Sequence, residues 1–113
     1  MISIDKCDVV VSIEPEDIPV RGNLIDSGDK ERDTKDEDEV IECLNNGDHW
    51  AWGYVKVKVS LKEVPELTHT ETLGCCSYGN EKEFLADNYY SGMILTCLEE
   101  LNAKAKKISE LFL

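Results

Sequence analysis

The chain has 113 residues, 42% of them hydrophobic and 32% charged, and its 24 acids against 12 bases give a net charge of −12. A chain of that length makes one domain able to bury roughly two-thirds of its unfolded surface, with no need of a metal or disulfide staple. No apolar run approaches the ~18 residues of a membrane span, and the negative field repels phosphate backbones and anionic lipid heads, so direct nucleic-acid and membrane binding are disfavoured, none is expected, and basic partner surfaces are favoured.

The acid excess is local. Between Glu14 and His49 there are 13 acids and four bases, a net −9 that leaves −3 for the rest of the chain. The first residues lack a basic region followed by an apolar core and a cleavage site, so they do not read as a secretory signal, and the expected home is the cytoplasm. Five cysteines, Cys7, Cys43, Cys75, Cys76 and Cys97, sit in otherwise apolar patterns, which suits free thiols in a reducing compartment.

In chain order, Ile2–Ile13 thickens into CDVVVSI, apolar on both sides, which predicts a strand with little exposure before Glu14-Pro15 stops it. PEDIPVRGN (15–23), with two prolines, a glycine and an asparagine, is a structured turn in which Arg21 is the lone base, suited to pairing with a nearby carboxylate. From Asp26 an acidic helix follows. Asp26 or Ser27 caps it, Val40, Ile41 and Leu44 give its last third an apolar patch, and Asn45-Asn46-Gly47 end it. Residues 26–39 are either a solvated helical extension or partly mobile.

Gly47–Leu61 carries the clearest strand pattern. Val55, Val57, Val59 and Leu61 alternate with Lys56, Lys58 and Ser60, and extending the alternation backwards sets Trp50, Trp52 and Tyr54 on the lysine side. These aromatics are either tucked under the 15–23 loop or the Ser77–Asp87 segment, or they form a recognition or dimer face, where Trp and Tyr are common anchors. A short loop with Pro65 leads into Leu67–Cys76, a third strand pairing as an antiparallel hairpin. Ser77–Asn88 reads as a turn with one helical turn that sends Phe84 and Leu85 into the core. The last element is an amphipathic helix of about six turns, with a stripe from Tyr90 through Cys97 and Leu101 to Phe112. The fold class is α+β, an antiparallel three-stranded sheet in β-α-β-β-α order with helices packed on one face, in a single domain over 1–113.

Catalytic signatures are absent from the sequence. There is no Gly-x-Ser-x-Gly, phosphate-cradling glycine loop or His-Glu-x-x-His, so no catalytic residue, metal or cofactor is expected. Vicinal Cys75 and Cys76, whose side chains would point to opposite strand faces, combine with His49 or His69 only as an alternative small metal protein or enzyme.

Taken together, PEDIPVRGN (15–23), GDHWAWGYVKVKV (47–59), GCCSY (74–78) and NYYSGM (88–93) resemble a family of small uncharacterised proteins carried by bacteriophages and other mobile elements. The resemblance in motif order covers most of the chain and departs from it in 62–72 and in the lysine-rich last helix. It implies a setting in which accessory proteins bind and block a host complex. The expectation is therefore a non-enzymatic binding protein that inhibits a host nucleic-acid-binding complex, such as a CRISPR-type defence complex, by offering a nucleic-acid-like acidic surface to a basic channel. The residues expected to carry it are Asp29, Asp33, Asp36, Glu37 and Asp38, with Trp50, Trp52 and Tyr54 as apolar anchors. A structural homodimer on the aromatic face is a further alternative.

Overall fold

A computed structural model describes residues 1–112 of the chain. Three strands, β1 (Cys7–Pro15), β2 (Gly53–Leu61) and β3 (Thr68–Cys76), form an open antiparallel sheet in the order β1-β2-β3, so β2 is central as its alternation requires. Three helices complete an α+β fold: α1 (Lys30–Asn45), α2 (Glu81–Leu85) and α3 (Asn88–Glu110). Two short 3₁₀ turns precede β1 and β2, at Ile4–Lys6 and His49–Ala51. No helix among the described residues is long and apolar enough to cross a membrane.

The chain divides into two compact units, and each strand gives residues to both. The first comprises Met1–Ser12, Lys56–Thr72 and Asp87–Leu113. Here Val57 and Val59 are fully buried with Cys97 and Leu101 of α3, each side chain contributing roughly 1.5–3 kcal/mol through removal from water. The Cys97 thiol lies 3.8 Å from the carbonyls of Val57 and His69. Asn102 of α3 accepts from the Ile2 amide at 2.8 Å and donates to the Ile2 carbonyl at 3.3 Å, which ties the N-terminal residues to the helix. The apolar stripe of α3 does not stay covered to its end, since Ile108 and Phe112 are exposed.

The second unit comprises Ile13–Val55 and Leu73–Ala86. Asp29, rather than Asp26 or Ser27, caps α1 by accepting the Arg32 amide at 3.3 Å, because Ser27 is held by Asp33 instead. The whole 30–45 stretch is helical. It ends as the Asn-Gly signal predicts: Gly47 takes φ +90°, its amide bonds the Leu44 carbonyl, and the Asp48 amide bonds that of Cys43, the paired bonds of a Schellman termination. In the segment before α3, Asn80 caps α2 and Phe84 is fully buried, whereas Leu85 points outward.

β1 corrects one expectation. Its residues alternate between buried or half-buried and exposed positions, and Val10 is 58% exposed. Asp8, Val10 and Ser12 fall on its exposed side, as one face of an antiparallel sheet is commonly left to solvent.

Candidate partner-binding site

The acidic region is organised by the loop before it. PEDIPVRGN is pinned at three places. Glu16 accepts the amides of Ile18 at 3.2 Å and Cys75 at 2.7 Å. The Ile18 carbonyl accepts the indole N–H of Trp52 at 2.7 Å. Gly22, at φ +78°, donates its amide to Glu37 at 2.7 Å. Val20 is buried at the loop's centre. The missing side chain of Gly74 is part of this arrangement, since a Cβ there would meet the Glu16 carboxylate at 3.1 Å.

Arg21 pairs with carboxylates as its position suggested. It reaches Glu37 at 3.5 Å, Asp38 and the Thr34 carbonyl, and the Asp38 hydrogen bond, then the Glu37 bond, raises the guanidinium pKa against the opposing effect of desolvation. Glu37 is the one residue of α1 that is buried, at 7% exposure. A buried carboxylate persists where its oxygens are satisfied, and Gly22 and Arg21 satisfy these.

The five acids expected to face a partner therefore divide. Asp29 caps the helix, Asp33 accepts from the Ser27 amide and hydroxyl, Glu37 is buried, and Asp38 holds Arg21. The Asp36 carboxylate alone of the five makes no hydrogen bond or ion pair among the described residues, and it shares that condition with the carboxylates of Glu31, Glu39 and Glu42 on the same helix.

The aromatic anchors are corrected more fully. Asp48 accepts the Trp50 amide at 3.2 Å and closes a 3₁₀ turn over His49–Ala51, so strand alternation begins only at Gly53 and the three aromatics do not share a face. Trp52 is 4% exposed beneath the 15–23 loop. Trp50 packs against Phe84 with ring centroids 5.6 Å apart and against Tyr78 at 6.5 Å, while Tyr78 and Phe84 meet edge to face at 5.2 Å. Tyr54 is half-buried beside Gly74. Trp52 is too enclosed to anchor a partner, and Trp50 serves the unit's own packing.

A groove of about 550 Å³ opens beside α1. Asp36, Glu39, Val40 and Cys43 line it from the helix, at the i, i+3, i+4, i+7 spacing that puts side chains on one face. Asp48 and Glu83 bring further carboxylates, Leu24, Ile25 and Ala51 further apolar surface, and Tyr78 an aromatic wall. No Lys, Arg or His lines it. The helical spacing of Asp36, Glu39, Val40 and Cys43 was visible in the sequence; the approach of Leu24 and Tyr78 to that face was not.

The alternative built on cysteine and histidine finds no constellation. His69 pairs with Glu71 at 2.7 Å, His49 lies exposed in the 3₁₀ turn, and no group of three or more His, Cys, Asp or Glu among the described residues is placed to hold a metal ion. Cys75 has φ +54°, which breaks the strand alternation that would send Cys75 and Cys76 to opposite faces. Burial and then the charge of Glu16 raise the Cys75 thiol pKa, the opposite of what activates a nucleophile.

Comparison with protein-family models, with curated proteins and with solved structures finds no match to this chain.

Proposed function

We propose that this chain is a non-enzymatic acidic binding protein that occupies a basic surface of a nucleic-acid-handling complex and blocks it. The observation that carries this reading is the helix α1, whose Glu31, Asp36, Glu39 and Glu42 carboxylates have no partner among the described residues, in a stretch that holds most of the net charge. Asp36, Glu39 and Glu42 follow at three-residue steps, and carboxylates so placed on a helix stand ~5–6 Å from one another, near the spacing of successive phosphates on a nucleic-acid strand, so a channel evolved for phosphates meets a similar charge array. The motif order resembling proteins of bacteriophages and mobile elements supplies the setting, a host defence complex of CRISPR type. Glu37 and Asp38 leave the contact set, because they hold the Arg21 loop.

The test is capture of host proteins by the tagged chain at low and high salt, beside a Glu31→Gln/Asp36→Asn/Glu39→Gln/Glu42→Gln variant. A basic nucleic-acid-binding complex recovered at low salt, lost at high salt, displaced by added nucleic acid and absent with the variant is the expected result. Recovery of the same proteins by the variant at every salt concentration refutes electrostatic mimicry.

A further inference from the structure

We propose that the groove beside α1 takes an arginine side chain together with an apolar neighbour, presented by a segment of the basic partner protein; this rests on the acidic-binding reading above and names its point of entry. The charge, lining, size and wall of the groove choose this occupant. Its charge has one sign: Asp36, Glu39, Asp48 and Glu83 line it, and no basic side chain does. Its surface is also apolar, with Leu24, Ile25 and Val40 in the lining, so an ion with a full hydration shell loses more there than a cation carried on a hydrocarbon stem. Arginine brings such a stem and a planar, weakly hydrated guanidinium that pairs with carboxylates through two bonds at once.

The carboxylates are distributed around the groove, and no group of three among the described residues converges as a metal ion would need. A volume of about 550 Å³ matches the size of sites for ligands of a few side chains. The wall is preformed. Tyr78 donates its amide to the Trp50 carbonyl at 2.8 Å and packs on Trp50 and Phe84, so little order has to be gained on binding, and an aromatic wall adds attraction for a guanidinium. Asp48 and Glu83 each hold a backbone amide, leaving Asp36 and Glu39 as the acids free to meet the guanidinium.

The experiment titrates the full chain, at low ionic strength, with a fluorescent peptide alternating arginine and leucine and with one alternating arginine and serine. Two variants remove the same charge: Asp36→Asn/Glu39→Gln inside the groove, and Glu31→Gln/Glu42→Gln outside its lining. The expected result is about tenfold weaker binding of the arginine-leucine peptide to the groove variant, a change under about threefold for the other variant, and at least about fivefold weaker binding of the arginine-serine peptide to the unaltered chain. Equal losses in the two variants, or equal affinity for the two peptides, overturn the groove and leave the acidic-surface reading standing. Binding that no variant weakens overturns both.

Discussion

Replacing Glu37 with alanine tests whether this buried carboxylate holds the 15–24 loop against α1. In the folded chain it accepts the Gly22 amide at 2.7 Å and faces Arg21 at 3.5 Å, with its side chain 9% exposed. A hydrogen bond to a charged group contributes about 1.5–3 kcal/mol, and its loss leaves the Gly22 amide without that acceptor. Arg21 is half-exposed and keeps Asp38, so its own loss adds little beside the amide bond. Alanine recovers a few tenths of a kcal/mol through helix propensity. The net expectation is a loss of about 2 kcal/mol, which moves a urea midpoint down by about 1 M with an unchanged slope. Glu37→Gln keeps an acceptor oxygen and should cost about half as much. Glu39→Ala, an exposed position on the same helix, should stay within about 0.5 kcal/mol. Equal midpoints for Glu37→Ala and Glu39→Ala would refute the argument.

Three further outcomes are expected. Gly53→Ala drives a Cβ into the Ile13 side chain and sets it 2.8 Å from the His49 carbonyl, and overpacking of this kind costs about 1–3 kcal/mol; a thermal midpoint equal to that of the unaltered chain counts against the tight start of β2. Glu16 has its pKa lowered by the Cys75 amide and then by the Ile18 amide. A depressed carboxylate adds stability above its unfolded value, about 4.3, and loses it as pH falls through the folded value. Glu16→Gln should accordingly flatten the acid side of the stability profile below about pH 4.3, and parallel acid limbs would dismiss the contact. Among the thiols, Cys43 is exposed while Cys7, Cys76 and Cys97 are buried, and burial raises the pKa of Cys75 and Cys97. A disulfide reagent at neutral pH should show one fast thiol that Cys43→Ser removes; survival of the fast phase in that variant would mean another cysteine is open.

Local pattern carried the elements whose signal is repeated along the chain. The valines of β2 recur with period 2 and are fully buried, and α3 repeats its apolar positions over 23 residues; each repetition samples the same buried face, so the pattern survives an odd residue. Where one side chain redirected the backbone, pattern failed. The Asp48 carboxylate turns Trp50 and Ala51 into a 3₁₀ turn, and alternation extended backwards from Val55 placed two tryptophans on a face they do not share. β1 failed for a different reason: the run Val9-Val10-Val11 masked an alternation that sets Cys7, Val9, Val11 and Ile13 on one side and Asp8, Val10 and Ser12 on the other, and Val10 lies on the exposed side.

The acidic helix separates the two kinds of information most clearly. Its existence, its glycine termination and its share of the net charge are properties of neighbouring residues, so the sequence by itself determined them. Asp36, Glu37 and Asp38 are three acids in a row; Glu37 falls in line with the apolar patch Val40, Ile41 and Leu44, but nothing local supplies the partners that let a carboxylate be buried there. The 15–24 loop, folded back from earlier in the chain, gives Glu37 an amide and a guanidinium, gives Asp38 the same guanidinium, and leaves Asp36 to the groove. Tertiary structure decided which carboxylate is buried and which lines the groove, because desolvation and hydrogen bonding depend on what the chain brings near in space, and the residues that bury Glu37 lie more than ten positions away in sequence.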